Sequence, residues 1–250
     1  QLGDGKLLSK ITKKTVIYDF RKNDLENGGQ GAPLTPIFHK LLKKKFNIKS
    51  VTFVNIGGIT NVTNFINDES MSGTDIGPGM CLIDKWIRDK TKKNYDEKGI
   101  IAKSGKINKV ALDKLIKNFY KKESILNSGR VQSFDTKYFN FSFVKDLSFE
   151  DGVATLTAFT AKIIISAIKT LNNPEKIILC GGGRKNNFLV EKLKEENNFV
   201  KLIDEYNIDG DFIESQAFAY LAIRSYLNLP ISFPQTTGVN KPCTGGIVVK

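Results

Sequence analysis

A single histidine, three cysteines and the absence of a long apolar run set the first limits on this 250-residue chain. No uninterrupted apolar stretch reaches ~18 residues, so nothing in the sequence reads as a membrane span. Cys81, Cys180 and Cys243 are odd in number and far apart. That spacing argues against a disulfide framework or a zinc site and fits a reducing cytosol. The lone histidine, His39, invites an acid/base role. It falls inside an amphipathic helical pattern, where a packed or hydrogen-bonded histidine is commoner, and it stays outside the catalytic set. No signal or transit peptide is visible, and the opening Gln1-Leu2-Gly3-Asp4-Gly5 reads as the middle of a domain.

Acidic residues are in deficit as well: 26 Asp+Glu face 38 Lys+Arg, for a net charge of +12. The lysines are dispersed through helical stretches, and clusters such as Lys43-Lys44-Lys45 and Lys121-Lys122 are short. No aromatic residues interleave them as in single-strand-binding surfaces. The charge therefore points away from nucleic acid and towards an anionic small substrate or a nucleotide. With 40% apolar residues, the chain suits one large domain or two modest ones.

What is present is a set of glycine punctuations between β-branched runs. Val51–Ile56 and Ile59–Thr63 read as two strands joined by Gly57-Gly58, a turn whose backbone N–H groups can approach a phosphate closely. Gly73-Thr74-Asp75-Ile76-Gly77-Pro78-Gly79 follows and reads as a loop holding one carboxylate. Lys176–Cys180 reads as a buried strand ending in Gly181-Gly182-Gly183, with a helix starting at Asn186. A strand, glycine turn and helix start suit a phosphate, although this spacing is neither the dinucleotide fingerprint nor a P-loop. Upstream, Thr15–Arg21 has strand composition and Gly28–Leu34 is a glycine-rich loop. Helical spacing recurs over 35–46, 80–93, 107–120 and 150–171. Trp86 falls on the apolar face of its helix and reads as core. Ser148 caps the 150–171 helix, and Asp151 reads as its capping-box partner.

Several of these segments resemble the anhydro-N-acetylmuramic acid kinases. That family carries patterns close to N-I-G-G-I-x-N and G-F-D-T-G-P-G-N, which here become Asn55–Asn61 and Gly73–Met80. Departures occur at Thr74, Ile76 and Met80, where Phe, Thr and Asn are usual. The family's D-F-R…G-G-Q-G-A-P-L…H is matched residue for residue from Asp19 to His39. Tyr95–Gly99 resembles its Y-D-x-x-G, Glu214–Ala222 its E-A-x-A-F-A-x-L-A, and Phe233–Val239 and Thr244–Gly246 its ending. The match is weaker over 121–147, where Ser133 and Asp135 align with an S-L-D form and Lys137 has no counterpart. The family's opening G-x-M-S-G-T-S-x-D-G and H-G-Q-T motifs are not in the chain, so it resembles an amino-truncated copy.

The resemblance implies an α/β, actin/hexokinase-like (ribonuclease H-like) two-lobed kinase fold with an incomplete first lobe. Residues 1–147 would be the remainder of the first lobe and 148–250 the second. It implies ATP and Mg²⁺ as cofactors and a cytoplasmic amino-sugar kinase of cell-wall recycling. Such an enzyme opens the 1,6-anhydro ring and phosphorylates O6. Asp75 would be the base, Gly57 and Gly58 would meet the phosphates, and Gly181, Gly182 and Gly183 the nucleotide. Arg21, Gln30 and Glu214 would hold the sugar; a homodimer is left open. Two alternatives stand beside this reading: a catalytically incomplete half-kinase that binds nucleotide or sugar, and another sugar kinase of the same fold.

Overall fold

The computed structural model describes residues 3–65, 71–126, 134–171 and 174–250. Five strands form the central sheet: β2 (Val51–Ile56), β3 (Ile59–Phe65), β4 (Met71–Pro78), β5 (Lys176–Cys180) and β6 (Val200–Leu202). Their order is β4-β3-β2-β5-β6. The first three are antiparallel neighbours, whereas β5 runs parallel to β2 and β6 parallel to β5. An antiparallel meander extended by parallel strands on the side of its first member is the ribonuclease H-like arrangement. A second, two-stranded sheet pairs β1 (Val16–Tyr18) with β7 (Ile247–Val249), joining early and late parts of the chain. The central sheet draws strands from both sides of residues 147 and 148, so those positions do not separate two sheets.

Alternation along the strands divides the core. Val51, Phe53, Phe65, Met71, Ile178 and Cys180 bury one face against α3 (Pro36–Phe46) and α9 (Ile213–Tyr226). Val54, Ile56, Val62, Ile177 and Leu179 bury the other against α7 (Phe149–Thr170) and α8 (Asn187–Glu196). Burial on both faces explains the near-continuous apolar, β-branched strands. A third cluster packs α4 (Cys81–Lys90) and α6 (Lys109–Leu126) against α7, with Trp86 at its centre, 1% exposed and donating its indole N–H to Phe149 O at 3.1 Å.

Helix ends follow capping chemistry. Ser148 Oγ accepts the Asp151 N–H at 3.2 Å, and Asn186 Oδ1 accepts the Leu189 N–H at 2.9 Å. Asp151 does not complete a capping box: its carboxylate instead accepts the Lys106 N–H at 2.7 Å and secures the neighbouring loop. Length and apolar composition alone would let α7 cross a membrane, yet 78% of its apolar window is buried within the fold. It is a core helix.

The main departure from the sequence reading is β4. Gly73–Gly79 reads as a loop, but Met71–Pro78 is an edge strand with Asp75 inside it. Its small residues serve close packing. A Cβ on Gly73 would lie 3.0 Å from Pro33 and Pro36, and Gly77 adopts φ +152 beside Ile163 and Phe119. Pro78, at the end of an edge strand, costs no central ladder bond.

Candidate active site

The parallel pairing of β2 and β5 brings their carboxyl-terminal ends to one end of the sheet, so the Gly57-Gly58 and Gly181–Gly183 turns lie side by side. In open α/β sheets this is the end at which ligands bind. Contact between the turns is direct: a Cβ on Gly181 would lie 2.7 Å from Ile56 O, and Gly183 is packed against the Ile56 side chain. The Gly57-Gly58 hairpin also seats the next helix. Gly57 O accepts the Met80 N–H at 2.8 Å, and Gly58 O accepts the Gly79 N–H at 2.9 Å and the Cys81 N–H at 3.2 Å.

The five glycines expected around a nucleotide fall into two kinds. Gly181 has φ +78 and Gly183 leaves no space beside Ile56, so the fold itself requires both. Gly57, Gly58 and Gly182 have ordinary φ. A Cβ would sit at 3.5 Å from Ile59 O on Gly57, at 3.8 Å from Thr136 on Gly58, and within 4 Å of nothing on Gly182. Intramolecular packing does not demand glycine at these three positions.

Asp75 lies beside the hairpin. In the register Cys180, Asn55, Asn61 and Asp75 stand abreast on four adjacent strands. The register shifts immediately beyond, between Thr60 and Asn61, where β4 carries a bulge. Asp75 is half-buried, and the Phe134 N–H donates to its Oδ2 at 3.0 Å. Burial pushes its carboxyl above the usual carboxylate range, and the Phe134 hydrogen bond only partly opposes this. Asp75 also borders a cavity of about 220 Å³ formed with Phe119 and Tyr120 of α6 and Ile163 of α7. A larger one, about 470 Å³, lies around Tyr18-Asp19-Phe20 and Phe218 and includes neither Asp75 nor the glycine turns. The chemistry-bearing groups, not cavity size, define the candidate site.

Arg21 and Gln30 are held together by one loop whose organiser the sequence reading missed. Asp24, 1% exposed, accepts the Gly31 N–H at 2.6 Å through Oδ2 and the Thr237 hydroxyl at 2.5 Å through Oδ1. Arg21 donates to Gly31 O rather than pairing with Asp24, and the Gln30 N–H donates to Thr237 O at 2.8 Å. Pro33 of this loop packs beside Gly73, two residues before Asp75, which brings the loop to the β4 edge. Glu214 is exposed in the first turn of α9, on the sheet face that also carries Asn55, Asn61 and Asp75.

Arg184 is a second group that sequence reasoning left unassigned. Its side chain is 5% exposed. It donates Nε to Asp204 at 2.8 Å, Nη2 to Asp211 at 2.9 Å and Nη1 to Gly181 O at 3.1 Å. Burial alone would lower the guanidinium pKa, but the bonds to both carboxylates outweigh it and raise it. One side chain thus ties the glycine turn to the approach to α9. Only its place directly after Gly181–Gly183 hinted at this.

His39 is packed, as its helical pattern suggests. It is 3% exposed, stacks on Phe53 at 4.6 Å and pairs with Thr63 Oγ1 at 2.8 Å; burial lowers its pKa to about 3. Asp135 accepts the Lys137 N–H at 2.8 Å, whereas Ser133 lies outside the described residues.

Fold and site together define a ribonuclease H-like α/β protein with glycine turns and a carboxylate gathered at one sheet end, the arrangement of the actin/hexokinase-like kinases. The sequence profile of anhydro-N-acetylmuramic acid kinase matches residues 1–250. The chain belongs to that family. It is 52% identical over 261 residues to the anhydro-N-acetylmuramic acid kinase of Pelagibacter ubique, covering 100% of this chain and 68% of the relative. With the enzyme of that name from Zymomonas mobilis it shares 39% over 249 residues, covering 98% and 67%. The chain thus spans about two thirds of the length of these relatives. Among solved structures, it is similar to the activator of the 2-hydroxyisocaproyl-CoA dehydratase from Clostridium difficile with bound ADPNP. That similarity has a TM-score of 0.45 and 18% identity, covering 72% of this chain and 63% of the other.

Proposed function

We propose that the chain acts as an ATP-dependent amino-sugar kinase on anhydro-N-acetylmuramic acid, opening the 1,6-anhydro ring and delivering the γ-phosphoryl group to O6. The observation that carries this reading is the meeting of two glycine turns and Asp75 at one end of the sheet. Glycines at 57, 58 and 182 that packing does not require are what a nucleotide needs if its phosphates are to approach the backbone. When bound, ATP supplies the phosphoryl group. Among the described residues no three His, Cys, Asp or Glu side chains cluster to hold a metal. A Mg²⁺ ion carried by the nucleotide's phosphates and water fits this donor set.

Asp75 would remove a proton from the water that attacks C1. The new C1–O bond forms as C1–O6 breaks, and O6 would take the phosphoryl group instead of a proton as the β–γ phosphoanhydride bond of ATP breaks and ADP leaves. A glycosidase working by inversion needs a second carboxylic acid to protonate its leaving oxygen. Here that need disappears, and one carboxylate suffices. Burial supports the base role by bringing the Asp75 pKa closer to neutrality, while the Phe134 N–H holds Oδ2. Arg21, Gln30 and Glu214 would hold the sugar, Arg21 through its planar fork on the lactyl carboxylate. Three free thiols fit a cytoplasmic setting for this chemistry.

The deciding assay is ATP-dependent release of the sugar 6-phosphate by the chain. Asp75→Asn should lower turnover by ~10²–10⁴-fold while sugar affinity stays near wild type. Loss of sugar binding with unchanged turnover per bound complex would remove Asp75 from the base role. Nucleotide or sugar binding without any turnover would favour a binding module.

A further inference from the structure

We infer that Asn61 is a positioning residue, whose side-chain amide holds the attacking water against the Asp75 carboxylate. This rests on the kinase reading above and extends it to a residue on the neighbouring strand.

The placement follows from register. Asn61 and Asp75 are directly opposed on β3 and β4. Opposed residues share a face, with Cβ atoms ~4.5–5.5 Å apart. That gap is too wide for the two backbones to fill but suits one water between short polar side chains. The pair is the last regular one before the bulge, and a bulge bends its strand and re-aims side chains there. On the other flank Asn55 opposes Asn61. Two amides and a carboxylate therefore run across adjacent strands, whereas the next row is Val54, Val62 and Thr74. Asparagine is disfavoured within strands, and a local conflict of that kind marks a position kept for chemistry. Asn61 is half-buried while its neighbours Thr60 and Val62 are buried, so its side chain faces the more open side.

The chemistry explains why a second group is needed. Phe134 N–H secures Oδ2 of Asp75, leaving Oδ1 to act as base. A water touching only Oδ1 can swing about that contact, and its lone pair has no fixed direction. The Asn61 carbonyl can accept the water's second hydrogen. As a neutral amide it neither competes for the proton nor perturbs Asp75 by charge.

Asn61→Ala and Asn61→Asp would be assayed for sugar 6-phosphate release, with thermal unfolding of each variant. Asn61→Ala should lower kcat by ~10–100-fold and leave KM for sugar and ATP within about threefold, the pattern of lost orientation. Its Tm should stay within a few degrees of wild type. Asn61→Asp sets a like charge opposite Asp75 and should move the acidic limb of the kcat/KM profile up by about one pH unit. A kcat for Asn61→Ala within about threefold of wild type, or wild-type pH profiles for both variants, would overturn the inference. If wild type turns over and Asp75→Asn does not, that failure concerns Asn61 alone. No turnover by wild type would overturn the kinase reading and this inference with it.

Discussion

Alanine substitutions along Gly181-Gly182-Gly183 should separate residues the fold needs from one a ligand needs. At Gly181 a side chain must adopt φ +78 with its Cβ 2.6 Å from Asn55 Oδ1 and 2.7 Å from Ile56 O. The left-handed conformation costs roughly 1–2 kcal/mol and overpacking roughly 1–3, about 2–5 kcal/mol together. For a chain of this size that lowers Tm by roughly 4–20 °C. Gly183→Ala drives its Cβ into Ile56 and should cost an amount within the overpacking range. Gly182→Ala meets nothing within 4 Å and has an ordinary φ. It should gain about 0.4–1 kcal/mol by restricting the unfolded chain.

Nucleotide affinity should move the other way. If Gly182 meets the nucleotide as proposed, a Cβ there would stand between the turn and a phosphate. Losing one charge-assisted hydrogen bond, worth about 1.5–3 kcal/mol, corresponds to a roughly 10–100-fold weaker Kd. Denaturant melts give the stability change and calorimetric ATP titration the affinity, both on the same preparations. The reasoning fails if Gly182→Ala is destabilised like its neighbours, or if it keeps wild-type ATP affinity.

Two further outcomes follow from buried groups. Arg184→Lys keeps the charge but cannot serve Asp204, Asp211 and Gly181 O at once. Unfolding should become easier by about 2 kcal/mol, with KM for ATP raised more than KM for sugar; equal changes in the two would argue against the proposed nucleotide role of the Gly181–Gly183 turn. His39 is neutral when folded, with its pKa lowered to about 3 by burial. The stability tied to it is full above its unfolded pKa near 6.5 and is lost as pH falls towards about 3. Between pH 7 and pH 5 this amounts to about 2 kcal/mol, which His39→Gln should abolish in acid-titrated melts. An unchanged pH slope in that variant would show that other groups carry it.

Local pattern was sufficient where one element's sequence dictates its own geometry. The Val51–Ile56 and Ile59–Phe65 hairpin, the buried strand before Gly181 and the apolar helix after Ser148 are all legible because period and capping are short-range properties. The glycine turns and Asp75 could be picked out for the same reason. Gly73–Gly79 reads as a loop because propensity sees glycine and proline. It does not see that Pro33 and Pro36 press on Gly73 and that β3 supplies a partner ladder.

What the chain's order of residues determined by itself was which segments bend, which are buried and which carry charge. That both glycine turns share one end of the sheet depended on β5 pairing parallel to β2 across more than a hundred residues of chain, a contact that no local window contains. The antiparallel register of β2, β3 and β4 put Asn55 and Asn61 in line with Asp75, and folding tied buried Asp24 to Thr237 and buried Arg184 to Asp204 and Asp211, partners far from them in sequence. Side-chain chemistry is written residue by residue, but the distance between two such groups is a property of the folded sheet.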